Sequence, residues 1–391
     1  MTIGRGDAVA LTRELVRTDS RNPSLVSGAP GEVQVARVLA EVLSAWGFKV
    51  EVQEAAPGRP NVVGRGGEGR GRSLLLNGHL DTVGVEGMVH SPFGAEERDG
   101  RMFGRGSADM KSGVAAMCAA AARAVAGGLA GEVIIGAVAD EEYASLGTRD
   151  LVERGVRADA AIVTEPTQLT IMPAHRGFVW IEVELSGRAA HGSRYDIGID
   201  AITHAGLLLA ELNRFERETL TTRTHRLLGH ASLHASTIDG GIGMSTYPDR
   251  CVVRLERRTL PGEHREQVMT EIRQACERVR AVRPSFTATT TMMLAQEPSD
   301  VAEDAPIVRA LSEAARRVRK QAPAVLGMTA WTDAALLNDG GIPAICFGPG
   351  DISLAHAAEE FVPIAEIEQA TDVLTSLIAD WCGGTNHPAR T

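Results

Sequence analysis

The run Glu132-Val133-Ile134-Ile135-Gly136-Ala137-Val138 is short, apolar and rich in β-branched residues, so it reads as a buried strand. One residue after it come three consecutive carboxylates, Asp140-Glu141-Glu142. This junction constrains the chain more than any other stretch. Three acids at the carboxyl end of a strand repel one another unless something positive holds them, and a divalent cation is the usual holder. The competing reading is an acidic cap for a helix starting near Ser145.

Other predicted strands end in similar residues. The strand over 73–77 runs into Gly78-His79-Leu80-Asp81-Thr82-Val83. His79 and Asp81 stand two positions apart on extended chain and so point to the same side. A metal-binding His commonly gives its other N–H to a carboxylate, a role open to Asp81; the plainer alternative is a strand-end His beside a turn Asp. The stretch Phe103-Gly104-Arg105-Gly106-Ser107-Ala108-Asp109-Met110-Lys111-Ser112-Gly113 is a glycine-rich loop opening an Ala-rich helix over 114–126. It is not a phosphate loop, because Arg105 and Met110 stand where that pattern needs glycine. Asp109 is then either an N-cap or a carboxylate bridging two cations. The strand over 160–164 ends in Glu165-Pro166, and the proline keeps the chain extended so that Glu165 projects from the strand end. A strand over 342–347 closes in Gly348-Pro349-Gly350, with His356 shortly after it.

Helices are expected over 8–17 and 32–46, joined by a polar turn over 18–24, with strands over 49–53 and 61–64 before the one at 73–77. A helix over 145–154 precedes the strand at 160–164. Near His175 the architecture changes. A strand over 178–185, a helix over 199–216, strands over 231–238 and 250–259, a helix over 263–282 and a strand over 285–293 follow. This β-α-β-β-α-β order is the ferredoxin-like pattern. The α/β pattern resumes with a helix over 305–320, so the second domain, 176–293, is expected as an insertion into a discontinuous domain of 1–175 and 294–391. A terminal helix is expected over 364–381, and the tail after Gly383 is expected to be frayed.

His79, Glu141, Glu142, Glu165 and His356 all fall at or after predicted strand ends, where open α/β sheets bind their ligands. Two His and several carboxylates form a mixed N/O donor set that suits Zn2+, Co2+ or Mn2+ and fits Ca2+ or thiolate-loving metals poorly. The formal net charge of −10 argues against non-specific nucleic-acid binding. No uninterrupted apolar stretch is long enough to span a bilayer, which argues against a membrane role. The five cysteines are scattered without CxxC spacing and read as reduced core thiols. With no apolar signal core near the start, the expected compartment is the cytoplasm.

The stretches GHLDTV, GRGSADMKSG, the DEE cluster, TEP and the GPG…H…E tail, in this order, resemble the M20 metallopeptidase family. That family includes acetylornithine deacetylase, succinyl-diaminopimelate desuccinylase, aminoacylase and glutamate-carboxypeptidase-like enzymes. The resemblance implies a zinc-exopeptidase-like, mixed-sheet α/β catalytic domain with the ferredoxin-like domain as lid and dimerisation domain. It implies two divalent ions, Zn2+ first and Co2+ or Mn2+ as alternatives. His79 and Glu165 would complete one site, Glu142 and His356 the other. Asp109 would bridge them, its bond to Met110 being commonly cis in relatives, and Asp81 would orient His79. Glu141 would be the general base. His191, in Gly187-Arg188-Ala189-Ala190-His191-Gly192-Ser193, would reach a partner subunit's site and stabilise the oxyanion. Arg258 would hold a substrate carboxylate, with Gly348 and Gly350 lining the pocket floor.

Two positions depart from the family pattern. Where relatives carry Asn after the inserted domain's double glycine, this chain offers Ser245 or Thr246, so an amide donor is lost from the substrate contacts; two residues before Arg258, Glu256 replaces Asp. The expected activity is removal of an acetyl- or succinyl-like acyl group from an N-acylated amino acid by a homodimer. The alternatives are a dipeptidase or carboxypeptidase of the same chemistry, acting on short peptides, and a non-catalytic metal-binding homologue.

Overall fold

The computed structural model describes residues 3–383; the tail after Gly383 lies outside them. In chain order the main elements are α1 (Ala8–Arg17), α2 (Val33–Ala45), β1 (Lys49–Ala56), β2 (Arg59–Gly67), β3 (Ser73–His79), α3 (Ser112–Ala126), β4 (Glu132–Val138), α4 (Leu146–Glu153), β5 (Ala160–Val163) and β6 (Ile171–His175). There follow β7 (Gly177–Ser186), α5 (Ala201–Glu218), β8 (Ser232–Gly240), β9 (Arg250–Thr259), α6 (Arg265–Val282), β10 (Thr287–Gln296), α7 (Pro306–Arg319), β11 (Ala344–Cys346) and α8 (Ile364–Gly383). Cα packing divides the chain into two units. The first runs to Pro173, includes Val301–Leu326 and resumes from Thr332; the second comprises Ala174–Asp300 and Gly327–Trp331. The second unit therefore extends beyond residue 293, the boundary expected from sequence, because β10 continues to Gln296 and a later short segment packs on it as well.

In the first unit the sheet order is β1-β2-β4-β3-β5-β11-β6. The four central strands β4, β3, β5 and β11 are parallel, while β2 and β6 flank them antiparallel. Leu74, Leu75 and Leu76 are fully buried, as expected of parallel strands covered on both faces. Their shared direction places His79, Val138, Val163 and Cys346 at one edge of the sheet. α1 starts at Asp7, whose carboxylate accepts the Ala10 N–H at 2.9 Å, and buries Leu11 and Leu15. α3 is buried along most of its length, which is why it is built largely of alanine. A Cβ at Gly113 would stand 2.0 Å from the Thr164 carbonyl oxygen, so only glycine lets the start of α3 lie directly against the end of β5.

In the second unit β8, β9, β7 and β10 form an antiparallel sheet in that order. With α5 and α6 this is a β-α-β-β-α-β unit whose first strand lies between the third and the fourth, the ferredoxin-like arrangement. Val179, Ile181, Val183 and Leu185 of β7 alternate into its core against both helices. All five cysteines are buried and free. Among the described residues no helix is long and apolar enough to cross a membrane.

Candidate metal centre

Six of the sequence-predicted residues meet at the carboxyl edge of the parallel strands. His79 closes β3 and Glu165 follows β5. Asp109 lies in the loop ahead of α3, Glu141 and Glu142 follow β4, and His356 comes after the β11 loop. One ligand atom each from His79, Asp109 and Glu165 lie within 4.8 Å of one another, and so do those of Asp109, Glu142 and His356. Asp109 belongs to both groups. Its Oδ1 is 3.1 Å from His79 Nε2 and its Oδ2 is 3.6 Å from His356 Nε2. Asp109 is not a cap, since α3 starts only at Ser112 with Lys111 at its N-cap position; the bond from Asp109 to Met110 is cis. Glu360 fixes this loop by accepting the N–H groups of Ala108 and Asp109 at 3.0 and 3.1 Å, while Arg105 pairs with its other oxygen.

The electrostatics of this edge call for positive charge. Burial pushes the Glu165 carboxyl well above the ordinary range, and Asp109, Asp333 and Glu142 push it further. Glu141 is raised in the same way, by burial and then by Glu165, Asp333 and Glu142. Burial and Asp109 raise Glu142. Burial opposes a charge on His79, yet Asp109, Glu141 and Asp81 outweigh it and hold the imidazole well above its usual pKa. Several acids forced together out of water, with two imidazoles and one carboxylate common to both groups, fit a pair of divalent cations bound by N and O donors.

Glu141 belongs to neither donor group. Its loop is clamped instead. Asp81, fully buried, accepts the Glu141 N–H on one carboxylate oxygen and the Glu142 N–H on the other, at 3.1 and 3.2 Å. His79 Nδ1 therefore meets the main-chain oxygen of Asp81 at 2.9 Å, not its carboxylate, which stands 3.7 Å away. Asp81 orients the histidine through its backbone because its side chain is engaged by the acidic loop.

Residues without a role in the sequence reading complete the clamp. Asn22, from the turn assigned only as polar, donates to Asp81 at 2.8 Å and to Asp140 at 3.0 Å. Arg59 grips Glu32 with two nitrogens at 2.7 and 2.6 Å and reaches Asp140 at 2.8 Å. Asp140 holds a left-handed φ of 68°, and Ser145 at the far end of the loop one of 54°. Such conformations are costly for residues other than glycine and persist where surroundings impose them. Asp333 sits behind the loop, accepts from the Thr148 hydroxyl at 2.6 Å, and is pushed by burial up to about 6. No spacing or period in the sequence marks Glu32, Arg59 or Asp333, whose partners lie 27 or more positions away.

Gly348 and Gly350 are buried, and their N–H groups go to Thr167 Oγ1 and Glu366 Oε2. They offer shape and no free donor. A Cβ at Gly348 would lie 2.5 Å from the Thr164 oxygen, so the β11 loop lies hard against the Glu165 turn. His191, Ser245 and Arg258 are in the second unit. Gly192 N–H donates to the Ser245 oxygen at 2.8 Å, and His191 bridges Thr246. Arg258 lies at the opposite end of the β8–β9 hairpin, eight residues from Arg250, which at strand rise is roughly 26 Å. One copy of the unit does not bring Arg258 together with His191 and Ser245.

Residues 75–380 match peptidase family M20/M25/M40. An acetylornithine deacetylase from Myxococcus xanthus is 32% identical over 354 residues, covering 88% of this chain and 90% of the relative. An N-formyl-4-amino-5-aminomethyl-2-methylpyrimidine deformylase from Bacillus subtilis is 29% identical, with 88% of each chain covered. Among solved structures, an M20 family metallo-carboxypeptidase from Sulfolobus solfataricus superposes with a TM-score of 0.80 at 18% identity, covering 95% of this chain and 98% of that one.

Proposed function

The chain belongs to peptidase family M20/M25/M40, and from that premise we propose that it is a metal-dependent amidohydrolase removing an acyl group from an N-acylated amino acid. One observation carries the reading. A carboxylate outside both donor groups, Glu141, is held beside them by its own backbone N–H on a buried Asp81. A protein that only bound metal would not need this extra acid. Deacylation is preferred to peptide cleavage because relatives 32% and 29% identical are named for acyl and formyl removal, whereas the carboxypeptidase likeness is one of fold.

His79 and Glu165 would hold one divalent ion and Glu142 and His356 the other, with Asp109 between them; Zn2+ suits this donor set, and Co2+ or Mn2+ are alternatives. Bound there, such ions supply polarisation of a scissile carbonyl and a lowered pKa for an attacking water. The chain does the rest. Glu141 takes the water's proton and passes it to the leaving amine, a transfer helped by the burial that raises its carboxyl. Arg258 holds the substrate carboxylate as a planar fork. His191, with Ser245 beside it, is assigned to the oxyanion of a second copy's site, a role supported by its separation from Arg258 within one chain. The compartment is proposed to be the cytoplasm.

Hydrolysis by metal-stripped protein resupplied with Zn2+, Co2+ or Mn2+ tests the reading, with N-acetyl and N-succinyl amino acids beside dipeptides. Metal-restored cleavage of an acyl class supports it, and restored dipeptide cleavage alone overturns it. Metal addition should also raise the melting temperature, because an ion that binds only the folded state contributes about 2.7 kcal/mol at a hundred times its Kd. The same titration should release protons, since carboxyls raised by burial and a charged His79 must shed them to become ligands. Calorimetry in buffers of different ionisation enthalpy measures that release.

The homodimer is assigned to the second unit. Among the described residues β8 pairs only with β9, leaving its other edge open, and Ile238 on it is 55% exposed. Open edges bearing apolar side chains invite pairing, which a lysine discourages. Sedimentation should give a dimer for the parent chain and a monomer for Ile238→Lys.

A further inference from the structure

Aromatic residues make up only 4% of this chain, with four tryptophans in all. Two of those tryptophans nevertheless meet one phenylalanine on the second unit, on the sheet face turned away from its helices. The Phe178 and Trp180 ring centroids are 5.1 Å apart, and Trp331 stands edge-on to Phe178 at 6.4 Å. The Arg258 guanidinium lies over Phe178, 5.4 Å from its centroid. Farther along the same face, Glu182 pairs with Arg254 and Glu184 with Arg250 at 2.8 and 2.6 Å. One end of the face carries ion pairs alone, and the other sets the Arg258–Glu256 pair among apolar rings.

The charges at the aromatic end are unequal in what they leave open. Both oxygens of Glu256 are occupied, one by Arg258 Nε and the other by Trp180 Nε1 at 3.1 Å. A cationic side chain arriving there meets a carboxylate already paired with Arg258. Arg176 spends Nη2 on the Leu228 oxygen, and its Nε is buried without an acceptor. Burial and then the charge of Arg258 hold Arg176 below its usual pKa, so the two cations feel each other with no acid shared between them. Such a pair attracts an anion, and flat rings beside it attract a flat apolar group.

We propose that Phe178, Trp180 and Trp331 with Arg258 and Arg176 form the recognition subsite for the amine side of the substrate, which is an N-acyl amino acid carrying an aromatic side chain. This rests on the amidohydrolase reading for its catalytic part, but binding to the subsite is measurable without turnover. The first arm follows tryptophan fluorescence of the metal-stripped protein, excited where phenylalanine does not absorb, during titration with N-acetylphenylalanine, N-acetylornithine and N-acetylphenethylamine. Saturable quenching is expected with the first, and weaker by about tenfold or more with the second, which lacks the ring, and the third, which lacks the carboxylate. Arg258→Gln should weaken N-acetylphenylalanine by a similar factor, and Trp180→Ala should weaken it where Trp180→Phe retains it. Trp180 is 38% exposed, and melting temperatures recorded for each variant ensure that binding is compared between folded proteins.

The second arm compares kcat/KM on the metal-restored enzyme. Preference for N-acetylphenylalanine over N-acetylornithine, lost through KM in Trp180→Ala, supports the subsite. Preference for N-acetylornithine, tight binding of the carboxylate-free ring, or a Trp180→Ala variant with unaltered selectivity overturns it. If no amide is cleaved with any metal, the amidohydrolase reading falls, and the fluorescence arm alone decides the subsite: quenching that Arg258→Gln abolishes supports it, and no quenching overturns it.

Discussion

Replacing Glu141 with glutamine is expected to lower kcat by about a hundredfold to ten-thousandfold, the range for loss of a general acid–base group. The substitution keeps the size of the side chain and leaves the backbone N–H on Asp81, so the loop stays clamped. It also leaves both donor groups intact, because Glu141 is in neither. Metal content and melting temperature should therefore match the parent, and KM should move little. Steady-state kinetics with metal analysis of the same samples checks this. A variant that hydrolyses substrate at the parent rate would refute the assignment of Glu141 as base.

The largest effect on stability is expected at Arg59, a residue that touches no donor group. Glu32 and Asp140 are fully buried and Arg59 nearly so. Arg59→Leu leaves two buried carboxylates without their cation, a change that costs about 3–5 kcal/mol when one partner of a buried pair is removed. Urea unfolding at neutral pH measures it. The deficit should depend on pH with a definite sign. Burial already raises Glu32 above the ordinary range, against the lowering pull of the Arg59 hydrogen bonds and charge. Without Arg59 its folded pKa rises further, so the folded state binds a proton more readily than the unfolded chain does. Lowering the pH through that folded pKa then favours folding, and the deficit is greatest at neutral pH and above and narrows on acidification. Because Arg59 also holds Asp140 at its left-handed φ, kcat should fall as well; adding guanidinium to solution is expected to restore neither quantity, since the site is closed to solvent.

Much of the fold was legible because it is locally encoded. The β-branched run at β4, the Ala-rich α3 and the alternating strand β7 each state their element through periodicity. The order of elements then implies parallel central strands and an inserted β-α-β-β-α-β unit. Short strands such as β6, and the three-stranded sheet of Glu96–Arg98, Arg101–Phe103 and Phe361–Pro363, carry too few residues for a period to emerge. Segments of that length are specified by the partner they pair with.

The same division runs through the candidate site. Strand direction alone puts His79, the acids after β4, Glu165 and the β11 loop at one edge, since parallel strands end together, and their residue types announce a cation. What Asp81 does with its carboxylate, that Asp109 faces both His79 and His356, and that Arg59, Glu32 and Asn22 tie down Asp140 were decided by tertiary structure. Asn22 and Asp140 are 118 positions apart and Arg59 and Glu32 are 27 apart, beyond the reach of any helix or strand period. Which charge a buried group meets depends on how separate elements pack, and once water is excluded that partner sets both its protonation and its orientation. Sequence determined which groups stand at the edge, and packing determined which of them hold and which are left to react.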